Sequence, residues 1–237
     1  MKNSIDTPTN EDFEFASLMA AKNYRAAILN YFRGPLRGNV IEVGAGIGQI
    51  TAHLLECGDI RNLTSIEPSG DFCSRIRSQF PDLDLVQGTI SDLRTEKDWN
   101  AILSINVLEH IEADEAELAI YHGLLKPTNG TLCLFVPARS EIYAPIDRDF
   151  GHYRRYALPE LKRKLDHAGF KIQELRYYNM VGYFAWWANF CVFKKRAFDI
   201  RSVRLFDRMI FPAVHWFERH VSAPPFGQSI IAIASAR

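Results

Sequence analysis

The chain has 237 residues, of which 47% are hydrophobic, and its 28 basic side chains balance 28 acidic ones. This length and composition can bury a complete hydrophobic core, most simply as one domain with an elaboration. Because the formal charge is zero, no overall attraction recruits nucleic acid, and we expect no nucleic-acid partner.

The cysteines and the first residues of the chain indicate a compartment. Cys57, Cys73, Cys133 and Cys191 are widely scattered, which argues against a zinc site or a disulfide framework and fits a reducing environment. Residues 1–12 are polar and lack the apolar stretch of a secretory signal. No run approaches the ~18 apolar residues that a membrane-spanning helix needs. We therefore expect a cytoplasmic protein.

Apolar patterning predicts alternating helices and strands along the chain. Helical spacing of apolar residues predicts a first helix over residues 13–33. Short apolar runs predict seven strands, at residues 40–43, 63–67, 83–86, 101–105, 131–136, 170–178 and 229–234. The segments between several of them are long enough for crossover helices, at residues 49–57, 112–125 and 158–168. This alternation predicts an α/β fold with a mostly parallel sheet covered on both faces.

Residues 40–48 form the most informative stretch. A buried run containing Glu42 leads into glycines at alternate positions, beginning with Gly44 and Gly46, as in strands that feed a nucleotide-binding loop. Gly44 and Gly46 allow the backbone to approach a ligand closely. A dinucleotide fingerprint places its third glycine three residues after the second, but position 49 is Gln. The spacing therefore disfavours a dinucleotide-dependent oxidoreductase, which is kept as an alternative.

Two further patterns fit an adenosine group. Glu67 ends the second predicted strand, about twenty residues after the glycine loop, where a carboxylate can accept hydrogen bonds from both ribose hydroxyls. A solvated carboxylate at the end of a strand is the alternative. Gly88, Thr89 and Ile90 follow the third predicted strand, where a backbone amide and an apolar side chain can bracket adenine.

Residues 106–111 read N-V-L-E-H-I and follow an apolar strand. Together with E-x-G-x-G-x-G at residues 42–48, this segment resembles the class I (Rossmann-like) S-adenosylmethionine-dependent methyltransferases, of the broad group that includes ubiquinone-biosynthesis enzymes. The resemblance covers residues 38–178 well and residues 227–234 more loosely. It implies a Rossmann-like seven-stranded, mostly parallel sheet whose last strand is antiparallel, with S-adenosyl-L-methionine bound at the carboxyl ends of the strands.

The resemblance also implies roles for individual residues. Glu42, the glycine loop and Asn106 are expected at the methionine end of the cofactor, Glu67 at the ribose, and a tyrosine of the first helix over the cofactor. The implied cofactor-binding residues are Tyr24, Glu42, Gly44, Gly46, Glu67, Pro68, Gly88, Thr89, Ile90, Asn106 and Val107.

Residues 143–156 carry the pattern D-x-x-x-G-H-x-R-R-Y, which resembles a subgroup of bacterial methyltransferases associated with glycan, lipid or secondary-metabolite modification. They lie where such a sheet places its acceptor pocket. His152 is the first candidate for a general base, because imidazole titrates near neutral pH, and His110 is the second. A structural role is the alternative for either histidine. No metal site is expected.

Arginine and aromatic side chains are candidates for binding the acceptor. Arg154 and Arg155 can clamp a carboxylate or phosphate, or can instead order the loop by pairing with Asp147 and Asp149. The predicted substrate-binding residues are Tyr143, Tyr153, Arg154, Arg155, Trp186 and Trp187.

Residues 179–227, which we call the insertion, form an unusually long link between the last two predicted strands. The insertion is rich in tryptophan and phenylalanine, including Phe198, and Arg204 and Arg208 recur at helical spacing opposite an apolar stripe. This pattern is typical of a lid over an acceptor or of a helix at a membrane surface, and a homodimer contact is the third interpretation. We favour the lid, with at most peripheral membrane contact.

The predicted organisation is an N-terminal helical segment at 1–37, a methyltransferase core at 38–178 and 228–237, and the helical insertion at 179–227. The predicted function is S-adenosylmethionine-dependent O-methylation of a small-molecule or lipid-linked acceptor. N- or C-methylation and a non-catalytic cofactor-binding protein remain alternatives.

Overall fold

The computed structural model describes residues 20–94, 97–197, 199–221 and 223–237. Residues 1–19, which include the start of the predicted first helix, and Phe198 lie outside the described residues. The strands are β1 (Gly38–Val43), β2 (Ile60–Glu67), β3 (Asp84–Gln87), β4 (Ala101–Ile105), β5 (Thr131–Pro137), β6 (Lys171–Tyr178) and β7 (Ser229–Ser235).

The seven strands form one sheet in the order β3-β2-β1-β4-β5-β7-β6. β7 runs antiparallel to both of its neighbours, whereas the pairs from β3 to β5 are all parallel. The predicted α/β sheet with an antiparallel last strand is therefore confirmed.

Nine α-helices are described around this sheet. They are α1 (Lys22–Phe32), α2 (Gln49–Leu55), α3 (Gly70–Gln79), α4 (Asp114–Leu125), α5 (Pro145–Asp149), α6 (Leu158–His167), α7 (Met180–Trp186), α8 (Ile200–Leu205) and α9 (Phe211–His220). A π-helical turn, Trp187–Val192, extends α7, and another, Phe206–Ile210, joins α8 to α9.

Both faces of the sheet are apolar, because alternate strand residues point to opposite faces and helices cover both. On one face Ile41 and Ile102 of the central strands pack in the same cluster as Leu118 of α4 and Leu161 of α6. On the other face Val40 and Leu103 join Phe32 of α1 and Phe211 of α9. The insertion thus contributes α9 to the main body of the protein.

Two buried carboxylates of the insertion hold helix N-termini. Asp207 accepts hydrogen bonds from the backbone N–H groups of Asn23 at 2.9 Å and Tyr24 at 2.8 Å, in the first turn of α1. Glu218 accepts from the N–H groups of Asn179 at 2.9 Å and Met180 at 2.7 Å, at the start of α7. Such groups have no partner within their own helix. Asp207 therefore fixes the insertion to α1, and Glu218 fixes α9 to the start of the insertion, just after β6.

The outer surface of the insertion is markedly apolar. Most of the exposed large hydrophobic side chains described in the chain belong to it, namely Phe184, Trp187, Val192, Phe193, Leu205, Met209, Ile210, Trp216, Phe217 and Val221. Among the described helices, none has both the length and the apolar character that crossing a bilayer requires. The division into core and insertion stays an interpretation.

Candidate active site

The predicted cofactor residues form a continuous row along the carboxyl ends of four strands. The N–H of Gly88, after β3, donates to the carbonyl of Glu67 at the end of β2 at 3.0 Å. The Glu67 carboxylate in turn accepts from the N–H of Gly46 at 2.7 Å and the N–H of Ser69 at 2.9 Å. Residues separated in sequence by the crossover helices are thereby brought into one hydrogen-bonded edge.

Gly44 shows why the glycine loop needs its glycines. Its φ is +73°, and a Cβ built on it would lie only 2.3 Å from Cγ2 of Val107, in the segment after β4. Any larger residue would have to displace the Val107 side chain as well as adopt a strained backbone. The loop after β1 and the loop after β4 are therefore packed directly together, which places Asn106 and Val107 beside the glycines.

Glu42 is buried under the glycine loop. One carboxylate oxygen accepts from the Ser65 hydroxyl at 2.6 Å and the Thr51 hydroxyl at 2.7 Å, while Oε1 is buried and has no partner among the described residues. Burial raises the pKa of Glu42 to about 7, and the two hydroxyl hydrogen bonds only partly offset this effect. An unpartnered buried oxygen is costly, so this atom fits a donor supplied by a ligand.

The remaining predicted cofactor residues differ in their exposure. Pro68 and Thr89 are exposed, and the Asp92 carboxylate accepts from the N–H of Thr89 at 2.8 Å. Ile90 is buried in the core that also contains Ile66, so its side chain faces the protein interior.

A cavity of about 450 Å³ lies at the same edge of the sheet, on the side of β5, β7 and β6. Pro137 ends β5, Asn179 follows β6 and Ser229 begins the antiparallel β7, and all three line the cavity. Asn106 also lines it, so the cavity adjoins the row of cofactor residues. The opposite wall comes from the insertion, including Trp186, Phe190, Val203 and Phe206.

His152 lines this cavity. Its Nδ1 lies 3.1 Å from Oδ1 of Asp147, and its Nε2 is buried without a hydrogen-bond partner among the described residues. Burial by itself would raise the pKa of Asp147, but His152 and the Arg155 guanidinium outweigh burial and lower it. The ionised Asp147 accepts the Nδ1 hydrogen, and a neutral imidazole then carries its lone pair on Nε2.

Arg155 completes this arrangement. Its guanidinium pairs with Asp147 at 2.8 Å and lies 4.2 Å from the ring centroid of Trp186. The Trp186 indole N–H donates to the carbonyl of Ile142 at 3.1 Å, which fixes the ring in the cavity wall. The predicted pairing of Arg155 with Asp147 is therefore present.

Glu109 and His110 lie beside His152. Glu109 lines the cavity, is fully buried, and has Oε1 4.0 Å from Nε2 of His152. The ring of His110 meets the ring of His152 edge to face, with centroids 4.6 Å apart. Burial and the neighbouring His152 lower the pKa of His110 to about 4, although a hydrogen bond with the Phe150 backbone opposes this shift. His110 is therefore neutral at physiological pH.

Other predicted acceptor-binding residues lie outside the cavity lining. Arg154 pairs with Asp114 at 2.8 Å, rather than with Asp149. Tyr153 is 54% exposed and Trp187 is 48% exposed. Tyr143 acts through the loop, because its hydroxyl donates to the carbonyl of His152 at 2.6 Å.

Tyr24 joins α1 to the cavity wall. Its hydroxyl lies 3.4 Å from the Ser229 hydroxyl, and its ring packs against Phe135 and Phe211. Burial raises the pKa of Tyr24 to about 12, so the phenol stays protonated at physiological pH. Tyr24 and Asn106 both line the cavity.

Comparison with known proteins identifies the family. A family model described as a methyltransferase domain matches residues 15–175, which is more than half of the chain. The chain belongs to this family. An uncharacterised methyltransferase of Staphylococcus carnosus is 30% identical to the present methyltransferase over 98 residues, which make up 41% of this chain and 45% of the relative. The match thus spans less than half of that relative's length.

Solved methyltransferases share the fold of the present methyltransferase. A chain from the complex of a methyltransferase activator with a methyltransferase of Haloferax volcanii superposes with a TM-score of 0.60 at 14% identity, over 93% of this chain and 97% of that chain. An S-adenosylmethionine-dependent methyltransferase of Mesorhizobium loti gives a TM-score of 0.57 at 15% identity, over 88% and 97%. The subgroup of ubiquinone-biosynthesis enzymes stays a prediction.

Several residues of the methyltransferase site were not singled out as site residues from the sequence. Glu109 belongs to the N-V-L-E-H-I segment, and its position beside a histidine was a usable signal. Asp147 precedes His152 by five residues, and this spacing alone did not indicate that the two side chains would be in contact. Asn179, Asp207 and Ser229 reach the cavity from distant parts of the chain, and only the folded structure reveals them.

Proposed function

We propose that this methyltransferase transfers a methyl group from S-adenosylmethionine to a hydroxyl oxygen of an apolar or lipid-linked acceptor bound in the cavity. The observation that carries the proposal is the arrangement of His152, which lines the cavity, has its Nδ1 held by Asp147 and has no hydrogen-bond partner for Nε2 among the described residues.

S-adenosylmethionine supplies a methyl group on a positively charged sulfur, a good leaving group. Glu42 and the glycine loop hold its methionine end, since Glu42 offers an unpartnered oxygen to an ammonium group. Glu67 accepts hydrogen bonds from the ribose, because its carboxylate is held at the end of β2 by the N–H groups of Gly46 and Ser69 and a carboxylate can accept several hydrogen bonds. Asn106 lies between this row and the cavity, so it borders both ligands.

His152 removes the proton of the acceptor hydroxyl. A neutral hydroxyl is a weak nucleophile, and a positioned imidazole accelerates its reaction by typically 10²–10⁴-fold. Asp147 orients the imidazole and stabilises the imidazolium that forms, as a carboxylate does in other histidine-dependent sites. Arg155 keeps Asp147 ionised.

The cavity walls support an apolar acceptor. Phe150, Trp186, Phe190 and Phe206 line the cavity, and the exposed surface of the insertion around it is also apolar. Arg154 and Arg155 are both engaged by carboxylates of the protein, so an anionic group would have to displace an existing ion pair. These features favour a neutral amphipathic acceptor over a small anion.

Transfer from radiolabelled S-adenosylmethionine to a panel of hydroxylated amphiphiles, with the corresponding amines in parallel, tests the proposal. We expect the hydroxyl compounds to be labelled, and His152→Gln to lower turnover by about 10²–10⁴-fold while S-adenosylhomocysteine affinity stays unchanged. His167→Gln changes an exposed histidine and is the matched control. Preferential labelling of amines, or full activity of His152→Gln, would contradict the proposal.

A further inference from the structure

Glu109, His110 and His152 bring three metal-binding side chains together. One ligand atom from each lies within 4.8 Å of the other two. Two ligand atoms bound to one tetrahedral zinc ion, with bonds of about 2.1 Å, lie about 3.4 Å apart. The ligand atoms would therefore have to approach one another by at most about 1.4 Å to bind one cation.

The two histidines are oriented as metal ligands usually are. A ligating histidine almost always uses its second ring nitrogen to bond a carboxylate or a backbone carbonyl. Asp147 plays this part for His152, and the backbone of Phe150 bonds the ring of His110. The Nε2 lone pair of His152 is left directed at the cluster, 4.0 Å from Glu109.

Burial and two neighbouring carboxyl groups also favour a cation. The side chain of His152 is 6% exposed and that of Glu109 is 0% exposed. Glu109 and Asp147 place two carboxyl groups beside the imidazoles, and Arg155 pairs with Asp147. Oε1 of Glu109 and Nε2 of His152 are 4.0 Å apart, which is beyond hydrogen-bond distance but close to the separation of two ligands that share one cation.

We propose that Glu109, His110 and His152 bind one divalent transition-metal cation of the zinc type. Two imidazoles favour such an ion over magnesium or calcium, which prefer oxygen ligands. Three protein ligands leave one coordination position open, as in catalytic zinc sites. Glu109 and His152 line the cavity, so this position faces the acceptor. The sequence alone led us to expect no metal site.

The cation site also refines the role of His152. A bound cation occupies the Nε2 lone pair that the proposed function uses as a base. The cation and the acceptor proton therefore compete for this nitrogen, so Zn²⁺ should lower the turnover of the chain. Only this consequence rests on the proposed function, because cation binding itself is measured without any acceptor or turnover.

Calorimetric titration of the chelator-treated full chain with Zn²⁺, and absorption spectroscopy with Co²⁺, test the inference. We expect one ion per chain and the visible absorption of Co²⁺ in a protein site. Glu109→Gln and His152→Gln should weaken binding by more than tenfold, and Asp147→Asn, which keeps all three ligands, by about 10–100-fold. His167→Gln, at an exposed site outside the cluster, should bind as the unmodified chain does.

A second measurement uses only the unmodified chain, so it tests the inference even where a cluster variant fails to fold. In the unmodified chain, Zn²⁺ should shift the NMR signals of the His110 and His152 rings and leave that of His167 in place. Absence of one-to-one binding, or equal affinity in all folded cluster variants, would overturn the inference. Turnover of the metal-free chain with hydroxylated amphiphiles, compared with that of metal-free His152→Gln, separates this outcome from failure of the proposed function, because the proposed base needs no cation.

Discussion

The Asp207 carboxylate accepts a hydrogen bond from the backbone N–H of Tyr24 at 2.8 Å, across 183 positions of sequence. The same carboxylate accepts from the N–H of Asn23 at 2.9 Å. A residue of the insertion therefore caps the helix that carries Tyr24 into the cavity wall.

Asp207→Ala should lower the free energy of unfolding by about 1–3 kcal/mol, because it leaves two N–H groups at the start of α1 without their charged acceptor. Urea unfolding measures this change. Asp166→Ala removes only an exposed ion pair with Lys162 and should cost about 0.5 kcal/mol or less. Equal stability of the two variants would show that the cap contributes nothing.

Trp186 and Trp187 form a matched pair of neighbouring tryptophans. Trp186 is 7% exposed and lines the cavity, whereas Trp187 is 48% exposed and does not. The sequence predicts that either substitution impairs acceptor use. With the structure, we expect Trp186→Ala to lower kcat/KM for the acceptor by at least tenfold, and Trp187→Ala to leave kcat/KM nearly unchanged. A larger loss for Trp187→Ala would indicate that the acceptor crosses the outer surface.

Glu67→Gln should weaken binding of S-adenosylhomocysteine by about 10–100-fold, because a neutral amide loses charge-assisted hydrogen bonds worth about 1.5–3 kcal/mol. Calorimetry gives the dissociation constant. Glu56→Gln changes an exposed glutamate at the end of α2 and serves as the control. Unchanged affinity in Glu67→Gln would exclude the predicted ribose contact.

Glu42 should make stability fall as pH rises. Burial raises its pKa from 4.5 to about 7, so the folded protein holds this proton more tightly than the unfolded chain does. The stabilisation is fully present below about pH 4.5 and is lost as pH rises through about 7, a change of about 3 kcal/mol.

Urea unfolding of the unmodified chain and of Glu42→Gln, from pH 4 to 8, isolates this contribution. All other titrations cancel in the difference between the two proteins. We expect the unmodified chain to lose about 3 kcal/mol relative to the variant across this range. A constant difference would mean that Glu42 titrates alike in the folded and unfolded states.

The outer face of the insertion should bind anionic vesicles. Phe193 is 70% exposed and Met209 is 66% exposed, and Arg204 and Arg208 are exposed on the same helical segment. Apolar and basic side chains together favour attachment to a membrane surface. Co-sedimentation at physiological salt should be lost in the double variant Arg204→Glu, Arg208→Glu and kept in Arg163→Glu, which changes an exposed arginine of the core. Equal sedimentation of the two variants would contradict this prediction.

The sequence by itself determined the sheet and much of the row of cofactor residues. Hydrophobic runs mark buried strands because a sheet covered on both faces needs continuous apolar segments. The glycines at positions 44 and 46 lie close to Glu42 in the chain, and such local constraints can be read directly from the amino-acid sequence. The positions of Glu67 and Gly88 in this row could also be predicted, since the carboxyl ends of parallel strands meet at one edge of the sheet.

Only the tertiary structure decided how the acceptor cavity and its charges are arranged. Asp147 meets His152 because the loop after β5 folds back on itself. Asp207 meets α1, and Trp186 rather than Trp187 faces inward, because these contacts depend on the path of the insertion back over the sheet. No residue spacing encodes that path, since two carboxylates bonded to distant backbone N–H groups fix it. Local pattern therefore determined the cofactor edge, and long-range polar contacts determined the cavity.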